Sequence, residues 1–447
     1  MIDRRRLLLT AAAVAVAPTL VQAEPLQTDA DGRLNGLLDG WFEADIDDSP
    51  ERATNLGLDR GARASLSSRL SETGPDAIRK DRAKALDRWG QLKGFDQAGL
   101  SSAGALNYAI AAFGAETAAE TARFDYGAGP GRPSPYVVTQ LSGAYFSTPD
   151  FLDNQHRVED AAGADAFLSR LEAFSGVLDG ETAKIEEDAG LGAIPPDFII
   201  DRMLPQIRAL RDTPVADMAM LKSLARKTGD LGLAGYDGRA AAIMDQKVKP
   251  ALAAQIAALE ALRPRATHDA GVWRLPDGEA FYAAGLKANT TTTLTAREIH
   301  ALGREQVAEI SAEIDAILKT QGYTQGTVGE RIQALNKEPA QLFANTDAGK
   351  AELLAWLNRL VADLEPKLPQ VFGRLPKSHV EIRRVPVSIQ SGAPGGYYQG
   401  PPLDGSRPGA YYINLRDSGN WPRFALPTLT YHCLLYTSPS PRDVEES

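Results

Sequence analysis

Apolar positions recur at helical spacing through most of this chain. Leu34, Leu37, Leu38, Trp41 and Phe42 follow the i, i+3, i+4, i+7, i+8 rhythm that lays one apolar stripe along a helix. Ile78, Leu86, Trp89 and Leu92 continue it, and Leu106, Ile110 and Phe113 follow in an alanine-rich stretch. Residues 165–178 place Phe167, Leu168, Leu171 and Phe174 on one face. Pro250 opens a further helix with Leu252, Ile256, Leu259 and Leu262. Thr295-Ala-Arg-Glu298 has the form of a capping box and opens a long helix through Leu318. Leu353, Leu354, Leu357 and Leu360 mark another. No period of 20 to 50 residues recurs, so a solenoid is not expected.

Strand patterning comes late. Val380, Ile382 and Arg384 alternate ahead of Val385-Pro386, and residues 410–415 are rich in sheet formers. Between them runs a Gly/Pro-rich connection, residues 391–409, that contains Tyr397, Tyr398, Asp404 and Arg407. Earlier, residues 127–135 read as a loop; their glycines do not fit G-x-G-x-x-G and no strand precedes them, so phosphate binding is not expected there. The order is many helices, a small strand region, then a helix that runs into His432. Pro427 suits its first turn, and Leu426, Leu429 and Thr430 recur at helical spacing. After it the chain turns to Ser-Pro-Ser-Pro, which cannot continue a helix.

Composition narrows the class. At 447 residues the chain can bury a large core, with 43% hydrophobic and 24% charged residues. A net charge of −10 argues against nucleic acid or an anionic membrane as the main partner. Cys433 is the one cysteine, which leaves no disulfide, iron–sulfur cluster or cysteine nucleophile in the body of the chain. The N-terminus reads as an address: Arg4, Arg5 and Arg6, then leucines, an apolar stretch over 7–20 and the small-x-small site Val21-Gln22-Ala23. The arginine pair resembles a twin-arginine export signal, with an ordinary Sec signal as the other reading. Residues 1–23 are therefore expected to be removed, and the protein to work in the periplasm or otherwise outside the cytoplasm. No later segment reaches the roughly 18 apolar residues of a membrane span.

Candidate chemistry is sparse among five histidines. His300 reads as the polar edge of its helix, His156 as part of a loop-to-helix junction, and His268 and His379 as residues of polar connections. No nucleophile elbow, Walker loop or S-x-x-K stands in a convincing context. His432 lies on a helix, where a zinc peptidase would place a glutamate next and a second histidine one helical repeat on. Cys433 and Tyr436 occupy those positions, so the residues alone read His432 as a surface or capping residue as readily as a ligand. Tyr397, Tyr398, Arg407, Tyr411, Tyr412 and Asn414 crowd into a short strand-and-turn segment. Such groups suit a binding cleft, and equally suit a hairpin packed on helices.

Several stretches resemble the bacterial exported proteins grouped as domain of unknown function 885. They are Pro135-Tyr-Val-Val-Thr-Gln-Leu-Ser142 and on to Phe151, Leu275-Pro-Asp-Gly278, Thr291-Thr-Thr-Leu-Thr-Ala-Arg-Glu-Ile-His300 with Leu302-Gly303, and Gly396-Tyr-Tyr398. Asp404-Gly-Ser-Arg-Pro-Gly409, Tyr412-Ile-Asn414 and Leu426-Pro-Thr-Leu-Thr-Tyr-His432 complete the set, so the likeness covers most of the chain after the signal. The resemblance implies a mainly α, large multi-helix zincin-like (M3/M32-type) domain with a small β region near the C-terminus. It also implies an exported zinc metallopeptidase acting on peptides, with His432 as first ligand of an H-E-x-x-P-G-H-H motif. In a complete member the motif's glutamate would activate zinc-bound water toward a peptide carbonyl.

This sequence departs from that pattern at once. Cys433 stands where the base glutamate is expected, and Ser438 and Pro439 where the later histidines would fall. Residues 433–443 resemble a translated sequencing adapter. The expectation is therefore that residues 24–432 are the N-terminal part of one large domain and that residues 433–447 are a non-native tail. The fragment would lack its catalytic base and hold zinc weakly through His432, with Arg407, Tyr412, Asn414 and Tyr398 on the substrate side. A helical periplasmic binding or scaffold protein that never used metal is the alternative. The partners this implies are a peptide substrate in the parent and the twin-arginine translocase during export.

Overall fold

The structure, a computed structural model, describes residues 28–435 except 132, 371, 373–374, 376–377, 386, 388–389, 391–393 and 404–407. The export signal at 1–23, the mature start at 24, Arg407, the side chain of Cys433 and the tail beyond 435 lie outside the described residues.

The described residues contain fifteen α-helices and one three-stranded sheet, joined by loops and short 3-10 or π turns. Of the first four helices, α1 (Asp29–Asp48), α3 (Pro75–Lys93) and α4 (Ser102–Thr121) gather around Leu34 and Leu92, while α2 (Pro50–Leu56) packs with the end of α1 around Ile46, Ala53 and Leu66. Next come α5 (Ala144–Asn154), α6 (Ala161–Gly190), α7 (Asp197–Asp212), α8 (Ala219–Asp230), α9 (Tyr236–Ile243) and α10 (Lys249–Leu262). These enclose the largest core, in which Phe167, Leu171, Phe174, Leu178, Ile200, Met203 and Leu252 are fully enclosed. The predicted stripe of residues 165–178 is thus the inner face of α6. Pro250 does stand in the first turn of α10, but a π-helical turn, Met244–Val248, joins that helix to α9 without a break. The proline ring removes one amide and crowds the turn before it, and the wider π turn absorbs both effects.

After α11 (Gly278–Thr290), α12 (Ala296–Thr320) starts at the predicted capping box. The Thr295 side chain accepts from the Glu298 N–H, and the Glu298 carboxylate accepts from the Thr295 N–H. Then follow α13 (Val328–Asn336) and α14 (Asp347–Leu364), and after these the strands β1 (Val380–Arg384), β2 (Gly396–Gln399) and β3 (Gly409–Ile413). The sheet order is β1-β3-β2, with β3 parallel to β1 and antiparallel to β2. The connection 391–409 therefore contains a strand that its glycines and prolines hide. The last helix, α15 (Leu426–Leu435), packs with β1 against α14. A second core forms there from Leu353, Leu357, Ile382, Tyr411, Ile413, Leu415 and Leu426. The chain is mainly helical with a small sheet near its C-terminus, as the periodicity predicts. No helix among the described residues is long and apolar enough to cross a membrane.

Candidate functional site

The entry to α15 is fixed from several directions. Ser418 is fully buried, and its hydroxyl donates to the Phe343 carbonyl at 3.1 Å. The Trp421 indole N–H donates to the Asn414 carbonyl at 2.7 Å. The Arg423 guanidinium lies 3.5 Å from the Phe343 ring centroid, and its backbone N–H donates to the Gln341 carbonyl at 2.7 Å. Leu426 and Thr430 then sit in the core, four residues apart on one face of the helix. His432 lies about 140° around the helix from the middle of that face, by the 3.6-residue repeat, and its side chain is exposed.

Strand alternation sorts the tyrosines onto two faces. Tyr398 and Tyr411 point inward with Val380, Ile382 and Ile413. Tyr397 and Tyr412 form a cross-strand pair on the outer face, stacked with centroids 4.9 Å apart and planes 15° from parallel. Burial holds the Tyr397 phenol well above its usual range, and the Asp150 carboxylate and the Tyr412 phenol add to the effect. Burial likewise raises Asp150. Asp150 belongs to α5, so the end of that helix lies within electrostatic reach of the outer face of the sheet. A second contact ties the β2–β3 connection down: the Leu403 N–H donates to the Leu56 carbonyl of α2 at 3.2 Å.

Asn414 is a corner. Its backbone N–H donates to the Gly395 carbonyl and its side-chain Nδ2 to the Gln390 carbonyl, both at 2.8 Å. Its Oδ1 accepts from the Arg416 N–H at 3.0 Å. It thereby fixes the ends of the segment before β2 and the turn after β3. Because β3 is the central strand, both of its edges are paired, and β2 and β1 carry the sheet's outer edges. Of the four residues predicted on the substrate side, Tyr412 faces outward, Tyr398 packs inward, Asn414 braces the rim, and Arg407 lies outside the described residues. Tyr397 and Asp150 join the site. Tyr397 stood in the tyrosine cluster, but nothing local in the sequence marks Asp150 as its neighbour.

The other histidines are occupied elsewhere. His156 is buried between Arg170 and the Gly163 carbonyl. Exposed His268 holds Asp197 at 2.8 Å, exposed His379 lies 3.6 Å from Glu365, and His300 is exposed on α12. Among the described residues no group of three or more His, Cys, Asp or Glu side chains comes together as a metal site. A cleft of about 150 Å³ between α1 and α3, lined by Asp48, Arg69, Ser71, Lys80, Asp81 and Lys84, includes none of the candidate residues.

Comparison with known proteins agrees with this fold. Residues 50–433 match the family described as bacterial protein of unknown function (DUF885). A solved structure titled "the putative lipoprotein from Colwellia psychrerythraea" superposes with a TM-score of 0.84 at 28% identity, covering 90% of this chain and 70% of that one. Among curated proteins nothing matches.

Proposed function

Because the chain belongs to the bacterial family DUF885, we propose that it derives from an exported zinc-dependent metallopeptidase-like hydrolase and is interrupted inside its metal motif. The observation that carries this reading is the placement of His432. The family match runs to residue 433, through a helix whose inner face is held by Leu426 and Thr430 while His432 projects to the other side. A ligand on a rigid, well-anchored element is what a metal site requires. The donors present do not fit a zinc ion, because no group of three or more ligating side chains comes together among the described residues, and a single imidazole holds the metal weakly. The chain as written is accordingly inactive, with its general base missing at Cys433.

In the parent, the substrate side lies on the outer face of the sheet. Tyr412, stacked on Tyr397, supplies an aromatic surface for a peptide. Tyr398 supports that surface from within, Asn414 holds its rim, and Arg407 serves as carboxylate anchor. An extended peptide would align along an edge strand, since β3 has no unpaired edge to offer. Export through the twin-arginine translocase to the periplasm fits the arginine-led signal, and the similar solved chain bears a lipoprotein title.

The test is the zinc content and peptidase activity of the purified chain, beside a version in which the Glu-x-x-Pro-Gly-His-His continuation and its downstream sequence are restored. The chain itself should carry well below one zinc, and the restored protein about one, with peptide hydrolysis. A restored protein that takes up no zinc would leave the non-catalytic binding or scaffold reading.

A further inference from the structure

Helix α12 spans 25 residues, roughly 37 Å at 1.5 Å per residue. Ile299, Leu302, Val307, Ile310, Ile314 and Ile317 form one stripe along it. An amphipathic helix owes most of its stability to burial of that stripe. Yet Leu302 is 44% exposed, Ile310 54%, Ile317 61% and Val307 65%. The 30-residue α6 buries thirteen side chains, whereas α12 buries Leu318. Its main packing partner, α13, meets the C-terminal turns, where Asp315 pairs with Arg331.

Three features describe what should lie on the rest. The stripe is aliphatic, without the aromatic and arginine anchors typical of transient interfaces, and so resembles a domain core left open. Gly303 lies within it, and a Cβ there would meet nothing within 4 Å. A mid-helix glycine costs about 1 kcal/mol relative to alanine and has no use in open space, but it lets a crossing helix approach closely. Glu305, Glu309 and Glu313, all exposed, line one flank at i, i+4, i+8. The similar solved chain is matched over 70% of its length, so about three tenths of it have no counterpart here.

We infer that this face seats a further helix of the parent protein, lying beyond His432, with an aliphatic stripe and lysines or arginines along the edge that meets Glu305, Glu309 and Glu313. The inference rests on the reading that the parent continues past His432. Its test places a single cysteine at Ile310, or at Ala308 on the opposite face as control, in a Cys433→Ser background. In the parent, where residue 433 differs, the same two positions are used. The rate of modification by a polar thiol reagent is then measured.

The expected result is fast modification of I310C in a monomeric chain and at least about tenfold slower modification in the parent. A308C should react fast in both. Equal rates for I310C in both proteins would overturn the inference, as would protection in the chain that depends on its concentration, which would assign the face to a second copy. Ile310→Lys gives an independent reading: it should lower the melting temperature of the parent and leave that of the chain unchanged or raised, and equal effects would count against the inference. Source DNA that ends at Ser447 would defeat the underlying reading of the parent, an outcome separate from these.

Discussion

Arg170 donates from Nη1 to Nδ1 of His156 across 2.9 Å, deep beneath the N-terminal helices. The other ring nitrogen, Nε2, lies 2.9 Å from the Gly163 carbonyl, so the imidazole is neutral with its proton on Nε2. Arg170 itself is fully buried and donates also to the Arg69 and Leu66 carbonyls and to the Thr54 hydroxyl. The pair fastens the segment around residues 50–70 to α6. It explains why the histidine at that loop-to-helix junction has a structural role.

Acid should loosen this fastening. Burial, foremost, brings the His156 pKa down from 6.5 to about 4. A base depressed in the folded state contributes fully above its unfolded pKa, and its contribution falls as pH drops from 6.5 toward 4. At about 1.4 kcal/mol per unit the loss is about 3 kcal/mol. Denaturant midpoints between pH 7.5 and 4 should show this slope. His156→Gln, which can accept from Arg170 and donate to Gly163, should flatten it, whereas an unchanged slope would place the acid sensitivity elsewhere.

Glu181 should act in the opposite sense. Burial raises its pKa from 4.5 to about 7, against the opposing hydrogen bonds from the Ala144 N–H at 2.8 Å and the Gln255 amide at 3.2 Å. The folded state therefore keeps a proton that the unfolded chain releases. Stability declines as pH rises from 4.5 to 7 and is level above. Glu181→Gln should remove this decline and make the protein about 1 to 3 kcal/mol more stable at pH 8. A turned Gln255 amide could then accept from the new side chain through Oε1, which has no partner now. Loss of stability at pH 8 on this substitution would refute the assignment.

Lys184 and Asp188 form a buried pair at 2.7 Å, and Asp188 also accepts from the Gly127 N–H at 3.0 Å. Lys184→Met leaves that carboxylate without its cation. The expected cost is about 3 to 5 kcal/mol by urea unfolding, because an unpaired buried charge loses its solvation without compensation. Adding Asp188→Asn should recover part of it. A cost below about 1 kcal/mol would mean that water reaches the pair.

Asn414→Ala removes the side-chain bonds to Gln390 and Arg416. A loss of about 1 to 3 kcal/mol is expected, with a change in Trp421 fluorescence, since the indole N–H rests on the Asn414 carbonyl. Unaltered fluorescence would separate the rim of the sheet from the start of α15.

The helices were legible because their stripes and caps are local: Thr295 and Glu298 state the start of α12 within four residues. The sheet was legible only in part. Val380 and Ile382 alternate visibly, but Gly396–Gln399 becomes a strand through pairing with residues 410–413 across the connection, which its own short Gly-led sequence does not announce. Once β2 is known, the opposite facing of Tyr397 and Tyr398 follows from the two-residue period. The nearness of Asp150 to Tyr397 depends on tertiary packing and left no local mark. The exposure of Leu302, Val307 and Ile310 is of the same kind, since periodicity states which face is apolar and not what covers it.

Under the proposed function, His432 is an authentic first ligand followed by sequence foreign to the protein. Reading the source DNA through and beyond the His432 codon tests it most directly. The expected frame continues Glu-x-x-Pro-Gly-His-His and runs on into further helices. A verified Cys433 codon, with a stop after Ser447, would contradict it.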